Sequence, residues 1–188
     1  MTPPGRRRSL ALLAFVALLA VVAVVVAGCW GSGLQPPVVP TGATPSPSTS
    51  AAMETARIQL EGALRAGGIS LVPATDPYRP PESAALATAA RIVLTATLPG
   101  DPDQGRIVVY DLGDPQSAYV AAREMAAYLA TGPGRVQLPP DARVALRLLG
   151  DTVILTVWSP VRASDPTAGE RMLTILAGVG ESVPIPAG

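Results

Sequence analysis

Residues 143–158, RVALRLLGDTVILTVW, constrain the fold more than any other stretch of the chain. Two seven-residue runs flank Gly150-Asp151, a two-residue connection of the kind that joins antiparallel neighbours. In the first run Val144, Leu146 and Leu148 alternate with Arg143, Ala145 and Arg147. In the second, Val153, Leu155 and Val157 alternate with Thr152, Ile154, Thr156 and Trp158. Successive strand side chains point to opposite faces, so each run has one aliphatic row to bury and one mixed row. The stretch reads as a β-hairpin.

An earlier segment repeats the plan. RIVLTATL (91–98) and RIVVYDL (106–112) flank the turn PGDPDQG, and Ile92, Leu94, Ala96 and Leu98 alternate with Arg91, Val93, Thr95 and Thr97. An Asp-Pro pair follows each hairpin, Asp114-Pro115 and Asp165-Pro166. Asp is a good helix N-cap, and Pro suits the first helical position, where its missing N–H costs nothing. Helices are therefore expected over 116–130, with Ala118, Ala121, Ala122, Met125 and Leu129 on one side, and over 167–179, with Met172, Ile175, Leu176 and Val179.

Before the hairpins, AAMETARIQLEGALRA (51–66) places Met53, Ala56, Leu60, Ala63 and Leu64 on one helical face. Ser50 is its natural N-cap, and Gly67-Gly68 ends it. Residues 69–72 suit a short strand, and PATDPYRPP (73–81) is too rich in proline for regular structure. The expected fold class is α+β: a two-layer sandwich of a four-stranded antiparallel sheet with two helices on one face, from a repeated β-β-α unit, plus an N-terminal helix.

Composition narrows the chemistry. The chain has no His, Lys or Asn and a single cysteine, Cys29. This alphabet excludes Ser–His–Asp triads, Cys–His pairs, His-ligated metals and Schiff-base lysines. A lone thiol builds neither an intrachain disulfide nor a thiolate zinc site. From Cys29 onward there are 11 Arg against 14 Asp and Glu, without the basic excess of a nucleic-acid binder. No nucleic-acid partner, cofactor or metal is expected.

The start of the chain carries an address. Arg6, Arg7 and Arg8 precede an unbroken apolar run over 10–27, the build of a secretory signal with its positive end held in the cytoplasm. The run ends in Val26-Ala27-Gly28-Cys29, which resembles the lipobox of bacterial lipoproteins. The resemblance covers residues 1–29. It implies cleavage between Gly28 and Cys29, a diacylglyceryl group and often a further acyl chain such as palmitate on Cys29, and a lipid-anchored place on the extracytoplasmic side of the cell membrane. Two or three acyl chains, at about 0.8 kcal/mol per buried methylene, anchor a protein stably. The alternative is an uncleaved single-pass signal anchor, because roughly 18 apolar residues can span a bilayer. Residues 29–50 follow as an uncharged Pro/Ser/Thr/Gly tether, expected to be disordered. In extended polyproline form it would reach on the order of 60 Å. Three segments result: a signal or membrane segment over 1–28, the lipidated tether over 29–50 and an α+β domain over 51–188.

Candidate site residues come from the mixed rows of the strands. With both helices on the aliphatic face, Arg91, Tyr110, Arg143, Arg147 and Trp158 would share the open face with Thr95, Thr97, Thr152 and Thr156. Arginines beside an aromatic suit an anionic or sugar-containing ligand, although solvated strand residues, or a face covered by helix 51–66, look the same in sequence. Asp101 and Asp103 open like a calcium loop, but Leu112 stands where a bidentate Glu is needed, so a turn is the simpler reading. Asp111 and Asp114 form a nominal carboxylate pair, and capping already accounts for Asp114. The proline-rich loops 73–82 and 131–141 carry Tyr78, Arg79 and Arg135, residue types favoured at binding hot spots. The expectation is an envelope lipoprotein whose domain is a non-catalytic binding or accessory module. The alternatives are a subunit of a larger envelope complex and a carboxylate-based hydrolase acting on envelope polymers.

Overall fold

The computed structural model describes residues 49–187. Helix α1 (Ala51–Ala66) starts at Ser50, whose hydroxyl accepts from the Met53 amide at 3.1 Å, and buries Met53, Ala56, Leu60 and Leu64. The short strand β1 (Leu71–Pro73) follows. Residues 74–83 then form an irregular strap, which leads into a single helical turn, α2 (Ala84–Thr88). Next come β2 (Ala90–Ala96), β3 (Gly105–Asp111) and the long helix α3 (Pro115–Ala130). A turn of helix, α4 (Gly132–Arg135), precedes the second hairpin, β4 (Arg143–Leu149) and β5 (Thr152–Trp158). A 3-10 turn (Pro160–Arg162), helix α5 (Thr167–Leu176) and β6 (Glu181–Ser182) complete the domain.

The helix starts follow the capping chemistry. Asp114 accepts from the Ser117 amide at 2.8 Å, with Pro115 in the first turn. Asp165 holds the amide of Thr167 at 2.9 Å, and α5 begins at Thr167 as expected, with Pro166 at the N-cap rather than the first helical position; it ends at Leu176, short of the expected 179.

The strands form one open antiparallel sheet in the order β1-β2-β3-β5-β4-β6. The four expected strands are its centre. β1 and β6 are short additions that blunt its two edges.

The placement of two helices on one face is overturned. Leu94 pairs with Ile107, which pairs with Thr156, which pairs with Ala145. The aliphatic row of the first hairpin therefore continues into the mixed row of the second, and the two aliphatic rows face opposite ways. Each face has its own core and its own helices. On one, α1 and α5 pack through Leu60, Leu64, Met172 and Leu176 onto Leu94, Ile107, Val109, Ile154 and Trp158. On the other, α3 packs through Ala118, Ala122, Met125 and Leu129 onto Val108, Tyr110, Leu146, Val153 and Leu155. The described residues form three layers, with the sheet in the middle. All seven residues of β5 are buried, as a strand covered on both sides must be.

Candidate functional site

The register divides the predicted binding face. Arg91 pairs directly with Tyr110 on the α3 side of the sheet, whereas Arg143 pairs with Trp158, and Arg147 with Ile154, on the α1/α5 side. Of the five residues only Arg143 stands open to solvent, and the other four are engaged in holding the fold.

Arg147 is buried at the C-terminal end of α5. Its Nε donates to the Val179 carbonyl, and one terminal nitrogen donates to the carbonyls of Ala177 at 2.6 Å and Gly180 at 2.8 Å. A helix leaves its last carbonyls without partners, and a cation there also complements the helix dipole. Trp158 is buried beneath α5, where Gly169 gives it room: a Cβ on Gly169 would overlap the indole. The indole N–H donates to Asp101 Oδ2 at 2.6 Å. Asp101 Oδ1 accepts from the amides of Asp103 at 2.9 Å and Gln104 at 3.2 Å, so the motif that opened like a calcium loop is a turn pinned to a tryptophan. Arg143 is exposed and lies 3.6 Å from Glu170, a loose surface pair.

Arg91 and Tyr110 fasten the strap. Both reach Glu82 Oε1, Arg91 at 2.5 Å and the Tyr110 hydroxyl at 2.9 Å. The Glu82 side chain is only 3% exposed, and no hydrogen bond reaches its other oxygen; Arg79 Nε stands 3.6 Å from it. Burial, with the Glu82 carboxylate beside it, pushes the Tyr110 phenol far above its ordinary range. A second clamp lies further along the strap. Arg106 forks onto both oxygens of Asp76 at 2.8 Å and donates to Thr95 at 3.0 Å, while its guanidinium stands 5.4 Å from the centre of the Tyr78 ring. The hydrogen bonds from Arg106 hold the Asp76 carboxyl below the usual 3.8. Arg91, Thr95, Arg106 and Tyr110 lie on one sheet face, and the strap closes the part of it beside β2 and β3.

A groove of about 480 Å³ opens where the strap, the β2–β3 turn and the segments flanking the second hairpin meet. The strap from Tyr78 to Pro81 forms one wall and Asp103, Gln104 and Arg106 another; residues 137–139, with Val157, Trp158, Ser159, Val161 and Arg162, close the rest. Several of the polar groups are already committed. Ser159 donates to Asp141 at 2.8 Å, and Gln104, in the left-handed conformation with φ 57°, accepts from the Leu98 amide at 2.6 Å. The proline-rich 73–82 loop thus supplies Tyr78 and Arg79 to a real concavity. Arg135 lies outside that groove, against the C-terminal segment in another one with Val136 and Ile185. Sequence reasoning missed Arg106 and Arg162. Arg106 opens a strand next to a glycine, and its partner Asp76 is thirty residues away in an irregular loop, so no local pattern links them.

Among the described residues, no group of three or more His, Cys, Asp or Glu is placed to hold a metal, and no helix is long and apolar enough to cross a membrane. Asp111 is occupied in the turn after β3, where it accepts from the Gly113 amide at 2.8 Å. Gly28 and Cys29, with the signal segment and most of the tether, lie outside the described residues. Compared with known proteins, the chain matches no family model, no curated protein and no solved structure.

Proposed function

We propose that this protein is a lipid-anchored extracytoplasmic lipoprotein whose α+β domain serves the cell envelope as a non-catalytic binding or accessory module. The observation that carries the reading is Val26-Ala27-Gly28-Cys29, following three arginines and an apolar run and preceding an uncharged Pro/Ser/Thr/Gly segment. Lipid on Cys29 would fix the chain to the membrane surface, and residues 30–50 would hold the domain away from it. The disposition of the carboxylates supports the non-catalytic part. Asp114 and Asp165 hold helix starts, Asp101 and Asp141 anchor turns, and Asp76 and Glu82 hold the strap. The groove beside the strap is where a ligand would meet the domain.

Intact mass of the protein extracted from membranes tests the anchor. The expected species begins at Cys29 and carries a diacylglyceryl group, and Cys29→Ala abolishes that species. A mass beginning at residue 1 with no lipid identifies an uncleaved signal anchor and overturns the lipoprotein reading.

A further inference from the structure

The domain is acidic as a whole, with 11 Arg against 14 Asp and Glu from Cys29 onward, yet three arginines and one carboxylate line the groove. The three cations are not equivalent. Arg106 is engaged through three hydrogen bonds to Asp76 and Thr95 and stands over the Tyr78 ring. Arg79 makes no hydrogen bond among the described residues. It faces Glu82 only at 3.6 Å through Nε, and its side chain is 74% exposed. Arg162 makes one bond, from a single terminal nitrogen to Asp103 at 3.0 Å, and is 65% exposed. Each guanidinium carries five N–H donors in a planar fork, so both arginines keep most of their donors free.

We propose that this groove binds a ligand through a carboxylate or phosphate group, with Arg79 and Arg162 as the recognising cations. The inference rests on the reading of the domain as a binding module and names the ligand chemistry of that module. Oxyanions match the guanidinium fork and gain charge-assisted bonds from it. Glu82, which is buried, and Asp76, which is exposed, hold the strap without lining the groove, so its lining keeps an excess of arginine over carboxylate. Pro80, Pro81 and Val161 supply apolar wall for the body of the ligand. The groove is framed by segments tied down by their own hydrogen bonds, which lowers the ordering cost of binding.

The test is calorimetric titration of the processed full chain in detergent micelles with tripolyphosphate, trigalacturonate and neutral maltotriose. At least one anion binds, more weakly as salt is raised, and maltotriose does not. The double change Arg79→Gln and Arg162→Gln weakens that binding about tenfold or more. Because both sites are exposed, the unliganded melting temperature stays within about 2 °C. Arg123→Gln, on exposed α3 surface outside the groove, leaves the affinity unchanged. Which anion binds tells a phosphate source from a carboxylate source. Absence of binding by both anions, survival of binding in the double variant, or an equal loss in Arg123→Gln overturns the proposal. Maltotriose binding alone keeps the module and overturns its anion. The lipid mass is read independently of every one of these outcomes.

Discussion

On one face of the sheet, α1 and α5 lay two amphipathic helices over β3 and β5, and Trp158 fills the space beneath Gly169. On the other, α3 covers the part over β4 and β5, while an irregular proline-rich strap closes the part over β2 and β3. The first closure is apolar packing. The second depends on two arginine–carboxylate clamps and a buried tyrosine hydroxyl. A helix brings a continuous apolar stripe and satisfies its own backbone; the strap brings only Tyr78, Pro80 and Pro81 and cannot satisfy its own backbone, so charged side chains share in holding it. Loops held this way sit at the low-stability end of a structure, which is where binding surfaces tend to lie. The groove adjoins the strap, at the end of the sheet where Trp158 also reaches its lining.

The largest effect is expected at Trp158. Trp158→Ala removes a fully buried indole and leaves Asp101 without its indole partner, at a cost of about 3–5 kcal/mol in unfolding free energy by denaturant titration. A loss below about 1 kcal/mol would mean that this face is not closed as described.

Glu82→Ala follows, with an expected cost of about 2–3 kcal/mol, because it strands the buried Tyr110 hydroxyl and removes the anion beside Arg91. The cost stays below that of breaking a fully buried pair because Arg91 is 26% exposed. The two variants should also differ in kind. Hydrogen exchange should quicken across the domain in Trp158→Ala and chiefly over residues 74–83 in Glu82→Ala. Equal, global quickening in both would erase the distinction between the two closures.

The smallest effect is a pH dependence confined to the strap. Asp76 has its folded-state pKa lowered by Arg106, so its contribution is complete above the ordinary value of 3.8 and is lost as pH falls through the depressed one. Exchange over residues 74–83, corrected for its intrinsic pH dependence, should accelerate on acidification toward pH 3 more than exchange in α1. Asp76→Asn should remove that difference. No strap-specific change with pH would show that the Asp76–Arg106 clamp does not hold the segment.

What was legible in the sequence divides along the same line. Helices α1 and α3, the two hairpins and the helix-starting role of Asp114 followed from periodicity and capping, because those signals are local. The faces did not. Choosing the aliphatic row of each hairpin separately assumed that the two rows meet, and only the β3–β5 register decides that. A local warning was available: TVILTVW is apolar at five of its seven positions, the pattern of a strand buried on both sides. Read that way, Trp158 and Ile154 are core residues and need no solvent. Arg91 and Arg147 were the harder cases. Their partners, Glu82 and the carbonyls after α5, lie in irregular segments whose path is set by tertiary packing. The candidate site was legible only as Tyr78 and Arg79 in a suspicious loop.

Trp158 reports directly on the closure of the sheet on both faces. The chain has two tryptophans, so a Trp30→Phe variant leaves Trp158 as the sole emitter at long wavelength. Its fluorescence should be blue-shifted and nearly insensitive to acrylamide in the native protein, and should become red-shifted and strongly quenched only on unfolding. Red-shifted, readily quenched emission from the folded protein would mean that the tryptophan stands on an open sheet face, and would contradict the account.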